Sequence, residues 1–395
     1  ITDVGHLTSD ADEGEDKMEK GARREGLSAW EVAKKYEKQF LESLDLLNVE
    51  RPDVISKATD HIQEQIDLIK KIEKNGFTYR TSDGIYYDTS KFPGYGDFAH
   101  LDLEKIKEGA RVEANPEKKN PSDFALWKFS PKDGTKRQME WDSPWGVGFP
   151  GWHIECTAMS TKYLGETFDI HTGGEDHIAI HHTNEIAQGF AAFGHQTANV
   201  WMHNAFITVK GGKMSKSSGK IMTVQELQEK GYKPLAYRLM AISSHYKKGI
   251  DFSFEGLEAA QNALEKLTAA VAKWKNAGVG QINEEFKKEF VAAISNDLAM
   301  AEAMAIVWKL VKSDIPDADK LATILDFDRV MGLSLAKAEA ETEEVVPFEI
   351  QKLAKARLQA RENKDWAESD RIRDLIKEKG YVIEDTQKGS KIRRL

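Results

Sequence analysis

The feature that most constrains the fold is an alternation of strand-like and helix-like segments between residues 141 and 210. Residues 167–170 have the pattern of a strand, residues 178–194 that of a helix, and residues 198–202 that of a second strand. Such alternation predicts a parallel sheet with crossover helices. Ligands of such sheets bind outside the carboxyl ends of the strands, and a His-Thr-Gly-Gly stretch starts at one such end with His171.

The same region concentrates side chains that bind metals. Seven of the eleven histidines lie between residues 149 and 217, together with the only cysteine, Cys156. His181 and Glu185 are four residues apart in a predicted helix, so they share one face. A thiolate, an imidazole and a carboxylate suit Zn²⁺, with a fourth position left for water, substrate or another residue. Spacing alone leaves two alternatives open: His182 could be the ligand instead, or Cys156 could be a small buried side chain among locally hydrogen-bonded histidines.

A second motif, Lys-Met-Ser-Lys-Ser, occupies residues 213–217 after a Gly-Gly turn. Lys213 and Lys216 lie on a glycine-flanked loop, where they can follow and neutralise phosphate charge, because lysine acts as a flexible point charge. Such a loop stabilises a transition state if charge develops on the phosphates during the reaction. The alternative is a solvated basic turn.

Together these motifs resemble the cysteinyl-tRNA synthetases, a family of class I aminoacyl-tRNA synthetases. The resemblance rests on GWHIEC (Gly151 to Cys156), HTGGEDH, HHTNEIAQ, WMHNAF and KMSKS, which follow that family's order at closely similar spacing. It extends from ITDV at the start to KDWAESDRIRD and GYVIEDT near the end. It implies a cysteine–tRNA ligase, which forms cysteinyl adenylate from ATP and L-cysteine and transfers the cysteinyl group to tRNA(Cys).

The resemblance also implies roles for individual residues. Cys156, His181 and Glu185 match three of the four ligands of a zinc ion that binds the substrate thiolate. A hydroxyl is a poor ligand for such a site, so cysteine would be selected over serine without editing. Trp152 and His171 match residues that line the amino-acid pocket.

Binding of ATP, with Mg²⁺, is implied for two lysines and two glycines. The implied residues are Lys213, Lys216, Gly173 and Gly174. The two lysines would also act in catalysis, through the phosphates.

The chain departs from the family pattern in two ways. The family's first half-fold, with its HIGH-type ATP motif and the fourth zinc ligand, is expected before Ile1, so the chain is interpreted as a fragment that forms no adenylate alone. Phe149 stands where the family commonly has arginine, and Lys220 where asparagine is usual.

The fold class implied is α/β. We expect a partial Rossmann-like class I catalytic domain with a parallel sheet and an inserted connective domain, then an α-helical bundle and a small C-terminal anticodon-binding module. The predicted segments are residues 1–76 and 141–210 (catalytic), 77–140 (insertion), 211–253 (lysine loop and linking helices), 254–334 (bundle), 335–347 (acidic linker) and 348–395 (anticodon-binding module).

Several local patterns support this organisation. Ser28 is positioned to cap a helix, and Asp83-Gly84 predicts a hairpin turn. Residues 348–379 predict a charged helical pair. The basic tail after it is either frayed or part of a tRNA-binding surface.

Composition bounds the class of protein. Of 395 residues 31% are charged, and no apolar run is long enough to span a bilayer. A single cysteine excludes an internal disulfide framework and fits a reducing cytosol, so we expect a cytoplasmic protein. We also expect a monomer without membrane contact. The net charge of −9 does not exclude tRNA as a partner, because phosphate contacts depend on local patches.

Three other functions are compatible with parts of the pattern. A relative that ligates cysteine to an amino-sugar would use the same core, but the tail at 348–395 argues against it. A tRNA- or zinc-binding protein without activity is a second possibility. A zinc hydrolase built on His181, His182 and Glu185 is a third, and it leaves the KMSKS motif unexplained.

Overall fold

The structure, a computed structural model, describes residues 1–6, 16–101, 115–131, 136–209, 212–213, 222–338, 346–386 and 389–394. The chain divides into two compact units. The first comprises Ile1–Glu42 and Arg51–Phe206, and the second comprises Ser43–Glu50 and Ile207–Leu395. Each unit has its own hydrophobic core.

The described residues contain thirteen α-helices and eleven strands. The helices are α1 (Lys17–Glu25), α2 (Ala29–Leu46), α3 (Ile62–Lys74), α4 (Trp152–Leu164), α5 (Thr183–Phe193), α6 (Val224–Glu229), α7 (Pro234–Ile242), α8 (Phe254–Trp274), α9 (Glu284–Ser295), α10 (Met300–Lys312), α11 (Asp317–Met331), α12 (Phe348–Glu362) and α13 (Trp366–Glu378). The strands are β1 (Thr78–Arg80), β2 (Gly84–Tyr87), β3 (Phe124–Phe129), β4 (Gly148–Pro150), β5 (Phe168–Gly174), β6 (Ala198–Asn204), β7 (Ile207–Val209), β8 (Gly212–Lys213), β9 (Ile250–Asp251), β10 (Tyr381–Thr386) and β11 (Gly389–Arg394). None of these helices is both long enough and apolar enough to cross a membrane.

In the first unit, strands β1 to β4 form an antiparallel sheet in chain order. The predicted hairpin at Asp83-Gly84 is confirmed, since β1 and β2 pair directly on either side of it. Gly84 is required here because a Cβ atom would lie 2.4 Å from the carbonyl oxygen of Trp127. The Trp127 side chain itself is fully buried in the core of this unit.

Strands β5 and β6 pair in parallel and are joined through α5, which confirms the predicted crossover. Ile170 pairs with Val200, and Gly173 pairs with His203. Helices α3, α4 and α5 pack on one another around side chains such as Ile69, which is fully buried. This packing fixes the position of α4 relative to α5.

The N-terminal part of the chain contains a predicted helix cap and buried residues that precede α1. The predicted Ser28 cap is confirmed: the Glu31 amide donates to Ser28 Oγ, and the Ser28 amide donates to the Glu31 carboxylate, at the start of α2. The segment before α1 has buried residues at both of its described ends. Val4 is 2% exposed, and Asp16, which caps α1, forms a buried ion pair with Arg137.

In the second unit, helices α8 to α11 form the predicted helical bundle. Leu257, Leu264, Leu267 and Val271 form a buried apolar face on α8. In the centre of the bundle the rings of Phe290 and Phe327 stack with centroids 4.0 Å apart. β7 pairs with β8 in antiparallel and with β9 in parallel orientation. The apolar periodicity of these helices is sufficient to account for their packing.

The predicted helical pair near the C-terminus is confirmed as α12 and α13, but the alternative of a frayed tail is wrong. Residues 381–386 and 389–394 form an antiparallel hairpin. Ile383 and Ile392 are direct partners in its register, and both pack with the isoleucines of the helical pair. Apolar burial on one face therefore orders a segment that looks only basic in sequence.

Candidate metal centre and active site

Helix α4 carries the candidate thiol ligand and begins where backbone contact with β3 is very close. Its N-cap residue is Gly151. A Cβ atom at this position would lie 2.0 Å from the carbonyl oxygen of Ala125, so only glycine allows the approach. Trp152 and His153 then occupy the first turn, and Cys156 lies one turn further on.

The candidate imidazole ligand lies on an irregular turn. The continuous helix predicted over residues 178–194 instead starts with a π-helical turn, Ile178–His182, and continues as α5 from Thr183. His181 Nε2 lies 3.1 Å from Glu185 Oε1, so the expected shared face is present. Turns of this type frequently occur at functional sites.

The structure brings the three predicted metal ligands together. Donor atoms of Cys156, His181 and Glu185 all lie within 4.8 Å of one another. His181 is 4% and Glu185 1% exposed, whereas Cys156 is partly exposed. His182 belongs to a second group of possible ligands, with Glu185 and His171, so the two groups share Glu185.

Glu185 is ionised although it is buried. Burial by itself would raise its pKa, but hydrogen bonds from His171 and His181 outweigh burial and lower the pKa to about 2. His171 Nε2 lies 3.2 Å and His181 Nε2 lies 3.1 Å from the same carboxylate oxygen, Oε1. The site therefore holds a buried negative charge that a cation would complete.

The Cys156 thiol favours its neutral form, in contrast to the Glu185 carboxylate. Burial raises its pKa well above the ordinary value, and the carboxylates of Glu185 and Glu155 raise it further. The thiol is therefore protonated at neutral pH unless a cation replaces the proton.

Further imidazoles surround these ligands. His182 Nδ1 lies 2.7 Å from His203 Nε2, and the rings of His171 and His182 have centroids 4.7 Å apart. Burial lowers the pKa of His182 to about 3 and lowers the pKa values of His177 and His203. Such imidazoles are hydrogen-bonding groups and potential ligands, not cations.

The two residues predicted to line the amino-acid pocket are at this site. The Trp152 ring lies 4.5 Å from the His181 ring, and the His171 ring lies 4.8 Å from the Trp201 ring. Among the described residues, the buried indole N–H of Trp201 has no acceptor. Trp201 was not singled out in the sequence, where only its place in the WMHNAF motif marks it.

The glycines predicted to contact ATP lie at the carboxyl end of β5. Gly173 is tightly packed: a Cβ atom would lie 2.6 Å from the His182 ring and 2.8 Å from His177 Nδ1. At Gly174 a Cβ atom would meet the Asp176 carboxylate at 2.5 Å. The close approach seen at Gly173 is thus to imidazoles of the chain itself.

The two predicted lysines differ in what the structure describes. The backbone of Lys213 pairs with Thr208 in the small sheet of the second unit. Lys216 lies outside the described residues.

Three residues near the site, His6, His153 and Glu155, were given no role by the sequence analysis. His153 Nδ1 lies 2.9 Å from His181 Nδ1, and His6 Nε2 lies 3.1 Å from the fully buried carboxylate of Glu155. Both contacts join distant parts of the chain, so no spacing rule could have found them. The concentration of histidines was the available signal for His153.

Comparison with known proteins covers almost the whole chain. A model of the class I (C) tRNA synthetase catalytic domain matches residues 6–262, and a model of the cysteinyl-tRNA ligase anticodon binding domain matches residues 345–393. Cysteine–tRNA ligase 1 of Burkholderia lata is 50% identical over 393 residues, which cover 99% of this chain and 83% of that protein. Cysteine–tRNA ligase of Treponema denticola is 42% identical over 416 residues, covering 98% of this chain and 84% of that protein.

Solved structures agree on the fold. Methionyl-tRNA synthetase of Mycobacterium tuberculosis, bound by methionyl-adenylate, superposes with a TM-score of 0.51. The match covers 84% of this chain and 81% of that chain at 14% identity. At this identity the likeness shows a class I synthetase fold and nothing finer.

Proposed function

Since the chain belongs to the cysteine–tRNA ligase family of class I aminoacyl-tRNA synthetases, we propose that it attaches L-cysteine to tRNA(Cys), using ATP. The substrate carboxylate attacks the α-phosphate of ATP, which gives cysteinyl adenylate and pyrophosphate. A hydroxyl at the 3′ end of the tRNA then attacks the cysteinyl carbonyl, which forms the ester and releases AMP. The observation that carries the proposal is the convergence of Cys156, His181 and Glu185 donor atoms within 4.8 Å.

The donor set fits zinc. Zn²⁺ binds thiolate at about 2.3 Å and imidazole at about 2.0–2.1 Å in tetrahedral geometry, so neighbouring ligand atoms are roughly 3.3–3.8 Å apart. The 4.8 Å limit on the three donors requires only a small inward movement to reach this. The ionised Glu185 and the thiol of Cys156 supply up to two negative charges, which match the charge of the ion.

Cys156, His181 and Glu185 would hold the ion and leave room for a substrate sulfur. Zinc bound there supplies a soft Lewis acid that favours a thiolate over a hydroxyl. The chain's own contribution is to fix the ligands: His171 donates a hydrogen bond to Glu185 and so orients the carboxylate.

The amino-acid pocket is assigned to Trp152 and His171. Trp152 contributes an aromatic surface next to His181, and Trp201 contributes an indole N–H that lacks an acceptor in the described part of the chain. A buried donor without a partner favours binding of a polar group. The substrate's polar atoms are suitable acceptors.

ATP and its Mg²⁺ are assigned to the remaining predicted residues. Gly173 and Gly174, at the end of β5, are placed where a ligand of a parallel sheet binds. Lys213 and Lys216 would neutralise the phosphates as charge develops on them. Most of the rate gain would come from orientation and electrostatics, because no covalent nucleophile is needed.

Residues 345–393 are assigned to the tRNA anticodon. Trp366, at the start of α13, is 59% exposed, and the Arg361 guanidinium lies 5.9 Å from its ring. An exposed aromatic ring beside a cation can stack on an unpaired base and contact the backbone. We expect Trp366→Ala to weaken binding of tRNA(Cys) in a filter-binding assay.

Cobalt substitution tests the thiolate-selecting site directly. We expect the Co²⁺-loaded chain to change its thiolate-to-metal absorption when L-cysteine is added and not when L-serine is added. Cys156→Ala should remove the metal band, while Ser160→Ala, one turn further on α4, should keep it. An equal response to both amino acids, or cobalt binding indifferent to Cys156, would contradict the proposal.

A further inference from the structure

His153 is a buried histidine that none of the assigned roles uses. It lies in the first turn of α4 and is 2% exposed. Its ring packs edge-on against Phe124 with centroids 5.7 Å apart, which restricts its rotation. Its Nδ1 atom lies 2.9 Å from Nδ1 of His181.

The two nitrogens of His181 therefore face different partners. Nε2 lies 3.1 Å from Glu185 Oε1, inside the group of candidate metal ligands. Nδ1 faces His153. His181 can reach the metal position with Nε2, because Nδ1 is already occupied by this contact.

Metal binding fixes where the protons must be. A neutral imidazole that gives the lone pair of Nε2 to a cation carries its proton on Nδ1. His181 is 4% exposed, so that N–H needs an acceptor within the protein. Nδ1 of His153 is at hydrogen-bond distance and can accept if His153 carries its own proton on Nε2.

We propose that His153 is a positioning residue for the metal: it accepts the Nδ1–H of His181 and holds His181 with its Nε2 lone pair towards the ion. This inference deepens the proposed function and rests on its metal site. Outer partners of ligating histidines are usually carboxylates, carbonyls or water. An imidazole acceptor is uncharged, so it adds no third negative charge beside Glu185 and the Cys156 thiolate.

The same contact implies a change of tautomer on metal loading. Without metal, His181 Nε2–H can donate to Glu185 while His153 Nδ1–H donates to His181 Nδ1. With metal, the proton of His181 is on Nδ1 and that of His153 is on Nε2. Each ring carries one proton in both states. The two rings can therefore change tautomer by proton exchange with solvent, and the total number of protons on the pair stays the same.

Two substitutions of similar size separate positioning from packing. His153→Asn keeps an acceptor near the position of Nδ1, whereas His153→Leu removes it. Outer partners typically change metal affinity 10–100-fold. We therefore expect His153→Leu to weaken Co²⁺ and Zn²⁺ binding by about 10–100-fold in chelator competition, and His153→Asn to stay close to the parent.

The outcomes are distinct. If His153→Leu binds as tightly as the parent, or if both variants weaken binding equally, His153 only fills space and the inference is wrong. If the unsubstituted chain binds no metal, the proposed metal site and this inference fail together. Metal-free unfolding curves of both variants control for loss of structure.

Nitrogen NMR of ¹⁵N-histidine-labelled parent protein gives an answer even if His153→Leu does not fold. In the zinc-loaded chain we expect His181 to be bound through Nε2 and protonated on Nδ1, and His153 to be protonated on Nε2. Before loading, both rings should show the other tautomer. Coordination of His181 through Nδ1, or an unchanged His153 tautomer, would overturn the inference.

Discussion

The two units bury different kinds of side chain. Of the described residues, nineteen buried polar or charged side chains lie in the first unit and five in the second. Burying a polar group costs free energy unless it is hydrogen-bonded, and a buried charge must be paired. The first unit meets this cost with contacts such as those of Glu185, whereas the core of the second unit is built from apolar side chains such as Phe327.

This difference separates the residues that stabilise the fold from those proposed to bind the metal. In the second unit, periodic apolar positions account for the packing. In the first, Glu185 and His181 interrupt the apolar pattern of a helix and are nevertheless almost fully buried. Substitutions in one region should therefore change stability, and substitutions in the other should change metal binding.

The largest effect on stability is expected at Phe327 in the second unit. Phe327→Ala removes a ring that is 1% exposed and stacked on Phe290, so it should cost about 3–5 kcal/mol of unfolding free energy. Denaturant unfolding measures this. Val279→Ala, at a fully exposed position, is the matched control and should be silent. A change in metal affinity in Phe327→Ala would break the proposed separation of roles.

The next largest effect is expected at Cys156 in the first unit. Zinc binding at a four-ligand site is worth roughly 10–16 kcal/mol, so each ligand contributes about 2.5–4 kcal/mol on average. Loss of the Cys156 ligand should therefore weaken zinc affinity by about 70- to 900-fold. Chelator competition with Cys156→Ala measures the loss. Unfolding of the metal-free protein should change far less, because Cys156→Ala removes only one side-chain atom. Unaltered zinc affinity would show that the thiol is structural.

Gly173→Ala tests the packing of the imidazoles. The added Cβ atom would lie 2.6 Å from the His182 ring, which is itself buried, so we expect a loss of about 1–3 kcal/mol in stability. Gly21→Ala, in α1, is the control. Its added Cβ atom would lie at an ordinary contact distance of 3.6 Å from the Val32 side chain, so the stability should be unchanged or slightly higher. Equal stability of the two variants would mean that the imidazoles move aside without cost.

The smallest effect is expected at Glu25, on the surface of the first unit and outside the site. Hydrogen bonds from Lys35, Tyr36 and Arg24 lower its pKa from 4.5 to about 2. A carboxylate with a lowered folded pKa adds stability above pH 4.5 that is lost as the pH falls towards 2. Glu25→Gln should therefore be slightly less stable than the parent at pH 6, and the difference should vanish near pH 2 and shrink in high salt. Thermal unfolding of both proteins between pH 2 and pH 6 measures this difference. A Glu25→Gln variant that is more stable than the parent at pH 6 would contradict the prediction.

Much of the architecture follows from local sequence. The β5–α5–β6 crossover, the hairpin at Asp83-Gly84 and the bundle of α8 to α11 were predicted, because turn chemistry and apolar period are local properties. The order and spacing of GWHIEC, HTGGEDH and KMSKS were enough to predict the family. Placement of Cys156 and Glu185 as candidate ligands also came from the motifs, and their roles remain proposals.

Other features depend on contacts between distant segments and could not be predicted. The hairpin of β10 and β11 forms because Ile383 and Ile392 cover the helical pair, although the segment looks only basic. Packing of α4 against α5 brings His153 within hydrogen-bond distance of His181, 28 residues along the chain. The sequence alone determined which residue types are present and which helix or strand carries them, because those depend on neighbours in the chain. Only the tertiary structure decided that Nε2 of His181 faces the candidate metal ligands and that Nδ1 of His181 faces His153. The physical reason is that a buried polar atom needs a hydrogen-bond partner, and here a distant segment of the chain supplies it.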